Sequence, residues 1–93
     1  MMKNETTQKQ FKSIYRWLHK VMNECITAPV TTSLTNGFDE KTKMRYLSLF
    51  IHCGDDLELF SWVYDEPEGI ILIKKQGIIN FLHKHGIDIN INL

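Results

Sequence analysis

Long apolar runs are missing from this 93-residue sequence. None approaches the roughly 18–20 residues of a membrane span. The opening stretch MMKNETTQKQ has no apolar segment after its lysine, so it does not read as a secretory signal, and a cytoplasmic protein is expected. Cysteine is scarce. Cys25 and Cys53 are the only two, and isolated thiols in an unexported chain read as buried, reduced core residues rather than a disulfide. The five glycines are scattered, and GxxxxGK[ST] is absent, which removes the phosphate-cradling loop of nucleotide-binding proteins. GxSxG is absent too, and neither cysteine stands in the local context of a known cysteine enzyme. Internal repeats and low-complexity segments are also lacking. Arginine is rare against lysine, two to nine, while isoleucine and asparagine are plentiful. That composition fits an AT-rich coding sequence of bacterial, phage or plasmid type.

What remains is the make-up of one ordinary globular domain, residues 1–93, with the first five residues expected to be disordered. At 43% hydrophobic and 24% charged it has enough apolar residues for one core without staples. The net charge is zero, but it is distributed in blocks. Residues 1–26 carry five cations against two carboxylates, residues 37–68 three against eight, and residues 69–93 three against one. Asymmetry of this kind bears on partners more than on fold.

The first element is a helix. Phe11, Ile14, Tyr15, Leu18, Val21, Met22 and Cys25 follow the helical period, with Asn4, Thr6 or Thr7 able to cap the start and Ala28-Pro29 ending it. At about 100° per residue, Lys9, Lys12, Arg16, His19 and Lys20 fall between about 80° and 180° from Phe11, a contiguous basic stripe on an outer flank. Trp17 stands at the border of the apolar face. Val30–Leu34 reads as a short edge strand, with Asn36-Gly37 as the turn after it. Residues 43–53 and 57–64 read as strands joined by a turn at Gly54-Asp55-Asp56, and Ile70–Ile73 as a third strand after the turn 65–69. Residues 74–85 form a short second helix, and the alternating tail IDININL a last strand. The expected fold is α+β: an antiparallel meander sheet of four to five strands with two helices, in the order α-(β)-β-β-β-α-β.

The two faces of this meander are expected to differ. Leu47, Leu49, Ile51 and Cys53 would share an aliphatic face with Leu57, Leu59 and Val63. Tyr46, Phe50, His52, Phe60, Trp62 and Tyr64 would form an aromatic one. Such a face is either core or, if bare, a contact surface. Tyr46, Phe50, Phe60, Trp62 and Tyr64 are therefore the candidate contact face of a homodimer.

Metal and catalytic chemistry find little support. His52 and Cys53 point to opposite faces of a strand, and His83 and His85 are about 200° apart on a helix. Asp55, Asp56 and Glu58 sit at a turn tip, where solvated carboxylates are common. No enzyme activity, cofactor or metal is expected. The order helix–three strands–helix, with Lys74-Lys75 opening the second helix, resembles double-stranded-RNA-binding domains in outline, and in that family such lysines meet phosphates. The chain departs from the family in a longer first linker, in the missing glycine-rich lead into the lysines, and in a further strand. Apart from that outline, the first-helix stripe of Lys9, Lys12, Arg16, His19 and Lys20, with Lys74, Lys75 and Lys84, is placed to form a phosphate-tracking surface. The bland alternative is that these cations only keep a solvent face soluble. The function expected is a small non-catalytic interaction protein, an inhibitor or adaptor that masks an acidic macromolecule, protein or RNA. The acidic tips Asp55, Asp56, Glu58, Asp65, Glu66 and Glu68 could imitate phosphates towards a second surface. Direct RNA binding is the alternative, and a small enzyme or metal protein the third reading.

Overall fold

A computed structural model describes residues 7–93 in full. The expected capping by Asn4 or Thr6, and the disorder expected of residues 1–5, lie outside them. The fold is α+β, with element order α1 (Met2–Glu24), β1 (Thr31–Asp39), β2 (Met44–Cys53), β3 (Asp56–Val63) and α2 (Glu68–Lys84). The sheet has three antiparallel strands in the order β1-β2-β3, fewer than the four to five expected. Among the described residues no helix is long and apolar enough to cross a membrane.

α1 forms as its periodicity dictates. Phe11, Ile14, Leu18, Val21 and Cys25 are buried, and Trp17 joins them at 6% exposure rather than staying at the border. Thr7 lies inside the helix, not at its start. After Glu24 the chain turns through Cys25–Thr27, and Val30 begins the run into β1.

Three expectations about the sheet are corrected. First, β1 is nine residues long and runs straight through Asn36-Gly37, which pair with Leu47 and Tyr46. Positive φ is what makes Asn-Gly a turn signal, but here the pair lies in the ladder. The Tyr46 ring fills the space above Gly37, and an added Cβ would stand 2.5 Å from it. The turn falls at residues 40–43 instead. There the Asp39 carboxylate accepts from the Lys41 main-chain N–H at 2.8 Å, and Lys43 takes a φ of 59°.

Second, the β2–β3 hairpin has a two-residue turn, Gly54-Asp55, with Gly54 at φ 62° and Cys53 paired to Asp56. A turn one residue longer was expected. Because side chains alternate, that single step exchanges the faces of β3 relative to β2. Leu47 pairs with Trp62 and Leu49 with Phe60, while Tyr46 pairs with Val63 and Phe50 with Leu59. No aliphatic or aromatic face exists. The five expected dimer-face residues are split: Trp62 is fully buried, Phe60 and Tyr64 are half-buried against the core, and only Tyr46 and Phe50 point to the other side.

Third, Ile70–Ile73 is helix, not strand. Pro67 precedes α2 and offers its carbonyl to the Ile71 N–H at 3.0 Å. The buried stripe of α2 is Ile71, Lys75, Ile78 and Leu82, with Phe81 beside it. A lysine in that stripe hides the helical period, and the β-branched run before it imitates a strand.

Both helices lie on one face of the sheet, over Leu47, Leu49, Ile51 and Trp62, all with no exposed surface. The Trp62 indole N–H has no hydrogen-bond partner among the described residues. The tail 87–93 is extended but unpaired, so it is not a strand. Its alternation is nevertheless real: Ile87, Ile89 and Ile91 pack on the core, while Asp88, Asn90 and Asn92 face outwards. The tail fastens to both helices, because Trp17 Nε1 donates to the Asn92 carbonyl at 2.6 Å and Lys75 Nζ donates to the Leu93 main-chain oxygen at 3.1 Å.

Candidate functional site

The cations singled out in the sequence separate into two groups. Lys9, Lys12, Arg16, His19 and Lys20 are all exposed on α1. Among the described residues none of them pairs with a carboxylate. The buried arc of α1 includes Trp17 and Val21, which displaces its centre. At about 100° per residue the basic stripe then lies about 180° from that centre, on the helix back rather than on a flank. At 1.5 Å per residue it is about 16 Å long. Tyr15, 38% exposed, lies beside it, with its ring 4.5 Å from that of His19 in an edge-on arrangement.

Lys74 and Lys75 do not join this row. They lie nearly two turns into α2, not at its start. Lys74 Nζ donates to the Ser61 carbonyl at 2.6 Å and lies 3.4 Å from the Glu66 carboxylate. Lys75 is buried at 7% exposure, its ammonium 5.2 Å from the centre of the Trp17 ring. Burial pushes its pKa below the ordinary lysine range. The lysine pair that carried the outline resemblance to double-stranded-RNA-binding domains therefore serves the fold. Sequence periodicity assigned both to a solvent face because a charged residue is expected there. The signal that argues otherwise is Lys75's spacing to Ile71, Ile78 and Leu82.

Lys74 and Glu66 have a defined task at the sheet edge. The Tyr64 N–H bonds to the Arg45 carbonyl, so by antiparallel alternation the odd-numbered residues of β3 turn their main-chain groups outwards. Lys74 caps the outward Ser61 carbonyl, and the Glu66 carboxylate accepts from the outward Val63 N–H at 3.1 Å. At Ser61 and Val63 the edge of β3 is thus occupied by side chains. Along β1, the other edge, no described side chain caps a main-chain group.

The acidic tips divide in the same way. Asp56 accepts from His85 Nε2 at 2.9 Å and from Lys84 Nζ at 3.1 Å, and these two hydrogen bonds, His85 first, lower its pKa. Glu66 is engaged as described. Asp55, Glu58, Asp65 and Glu68 are exposed. His83 pairs with Asp88 at 2.6 Å, away from the partner of His85. Among the described residues no group of three or more His, Cys, Asp or Glu side chains could hold a metal ion. Cys25 and Cys53 are free; burial, and then the nearby Glu24 carboxylate, push the Cys25 thiol up in pKa. Cys53 Sγ lies 3.6 Å from the Pro29 carbonyl.

The second surface is one that sequence reasoning misassembled. The sheet face turned away from the helices presents Phe50, Leu57, Leu59 and Val63, between 39% and 57% exposed, together with Tyr46. At its centre the Ser48 and Ser61 hydroxyls hydrogen-bond across the strands at 2.8 Å. Towards the β1–β2 turn the face sinks into a hollow of about 580 Å³, lined by Phe38, Met44, Tyr46 and Val63 with Asp39 and Glu40 at its rim. Of the side chains that β1–β3 direct to this face, only Asp39 carries a formal charge.

No protein-family model matches the chain, and comparison with curated proteins and with solved structures gives no significant match.

Proposed function

We propose that this is a small non-catalytic interaction protein that binds and masks an acidic macromolecule through the back of α1. One observation supports the reading above the others. Lys9, Lys12, Arg16, His19 and Lys20 stand exposed in a single row, and no described carboxylate neutralises them. Some exposed cations elsewhere do pair internally, as Lys84 with Asp56 or Lys43 with Glu40. A row that no described carboxylate pairs raises the local potential and attracts an anionic surface. An acidic groove on a partner protein about 16 Å long would accept the row along its length. Blocking that groove is inhibition; joining it to a second surface is adaptation.

The test uses an acidic glutamate-rich peptide and a nuclease-treated extract. Wild-type protein should bind the peptide and recover one defined acidic protein, and the double substitution Lys12→Glu, Arg16→Glu should lose both. Equal binding by wild-type and variant protein would remove the α1 back from the function.

RNA is the second reading, favoured by the exposed Tyr15 beside His19, since an aromatic ring next to cations can stack a single-stranded base. Here binding of an oligoribonucleotide should fall with salt, with a log–log slope of about −2.8 for phosphate contacts by Lys9, Lys12, Arg16 and Lys20.

A further inference from the structure

We infer that the open sheet face binds a second copy of this chain, face to face, about a two-fold axis that lies between the two sheets and crosses their strands at the level of Ser48 and Ser61. The surface is separate from the back of α1, so this inference goes beyond the function proposed above and does not rest on it.

Charge is the first argument. A sheet face that meets water is ordinarily polar. This one sets neutral Thr31, Ser33 and Thr35 on β1 beside the apolar side chains of β2 and β3, and it directs a single formal charge, Asp39, to the outside, although the chain has eleven cationic and eleven acidic residues to place. A two-fold contact sets a surface against itself, so any cluster of like charge would repel its own copy. An uncharged face avoids this, and it offers nothing to attract a charged partner.

Shape is the second argument. The face has exposed apolar side chains at one end and a hollow at the other. Phe50, Leu57 and Leu59 stand exposed towards the β2–β3 turn, and Met44, Tyr46 and Val63 line the hollow at the β1–β2 turn. Ser48 is midway in β2 between Met44 and His52, and it pairs with Ser61. Rotation about an axis at that level brings the exposed apolar side chains of each copy over the hollow of the other. Leu59 then faces Val63 of the second copy, and Phe50 faces its Tyr46. His52 arrives at the level of Met44 and its strand partner Asp39, which sets an imidazole near the face's one carboxylate. Sheets packed in this way stand about 10 Å apart with interdigitated side chains. A stable contact needs roughly 800 Å² from each partner, about one-eighth of the 6313 Å² that the chain exposes.

The arrangement has its own test. Light scattering of the wild-type chain across the micromolar range should give twice 10.9 kDa. Leu59→Glu and Val63→Lys should each give a monomer with the wild-type circular dichroism spectrum, since both positions are exposed in the single chain. Mixing the two variants should restore a dimer, because the axis sets position 59 of one copy against position 63 of the other. A wild-type monomer at every concentration would overturn the inference. So would a dimer that survives either substitution, which would place the contact elsewhere, for example along the open edge of β1. A mixture that stays monomeric would overturn the axis. In every case peptide binding by the α1 back reports separately on the proposed function.

Discussion

Leu49 and Phe50 are adjacent in β2 and belong to opposite faces of the sheet. Leu49 has no exposed surface, packed under α1 and α2 with Leu47, Ile51 and Trp62; Phe50 is 41% exposed, beside Leu59. Both faces carry large apolar side chains. The difference is what covers them: two helices and the tail on one side, none of the described residues on the other. Hydrophobicity alone therefore does not tell the covered face from the open one. Formal charge separates them the other way: the helix-covered face directs Arg45, Asp56 and Glu58 and the open face only Asp39.

The largest test of this comparison is to shorten each neighbour in turn. Leu49→Ala should cost about 2–5 kcal/mol by removing packed volume from a site that closes poorly. Phe50→Ala should change the stability of the single chain by less than about 1 kcal/mol. Urea unfolding at concentrations where the chain is monomeric measures both. Equal losses would mean that the two faces are energetically alike.

A smaller effect sharpens the picture of the open face. Gly37→Ala should cost about 1–3 kcal/mol, since the new Cβ meets the Tyr46 ring. In a Tyr46→Ala background most of that cost should vanish, and a double-mutant cycle reads the coupling directly. Additive losses would show that the ring's position over Gly37 is incidental.

The smallest effect concerns the covering layer. Lys75 is buried beneath the tail, and its pKa lies below the ordinary value of 10.5. Just below pH 10.5 the unfolded chain therefore binds more protons than the folded one, and folding stability rises with pH through that interval. Lys75→Met should remove this part of the rise, as read from urea midpoints at a series of alkaline pH values. An identical pH profile for both proteins would mean that the lysine is as well solvated folded as unfolded.

Much of the fold was legible because α1 and β2 have unbroken patterns. β2 stands at Met44–Cys53, one residue short of the expected start, and α1 forms where its period puts it, with its buried arc turned so that Trp17 is covered and Tyr15 exposed. The misreadings share a cause in single residues. One residue of turn length at Gly54-Asp55 decided which side chains of β3 joined which of β2, and sequence pattern alone does not fix turn length. One lysine at position 75 concealed the stripe of α2. In the tail the alternation of Ile87, Ile89 and Ile91 with polar residues was correct, but the same period arises when an extended segment lies across helices without strand partners. The row on α1 was visible in the sequence because a helix makes spacing into direction. The open face was not, because it depends on a register between strands.

The side chains of Lys74 and Glu66 give the molecule a handedness in how it can be extended. Fibrous growth by main-chain pairing requires every subunit to offer two vacant borders, one for each neighbour. Here two groups of the β3 border, the Ser61 carbonyl and the Val63 N–H, are already taken from within, so a strand laid along β3 would forfeit those bonds while β1 holds none of that kind among the described residues. Joining is thereby biased to one border, which disfavours endless polymerisation.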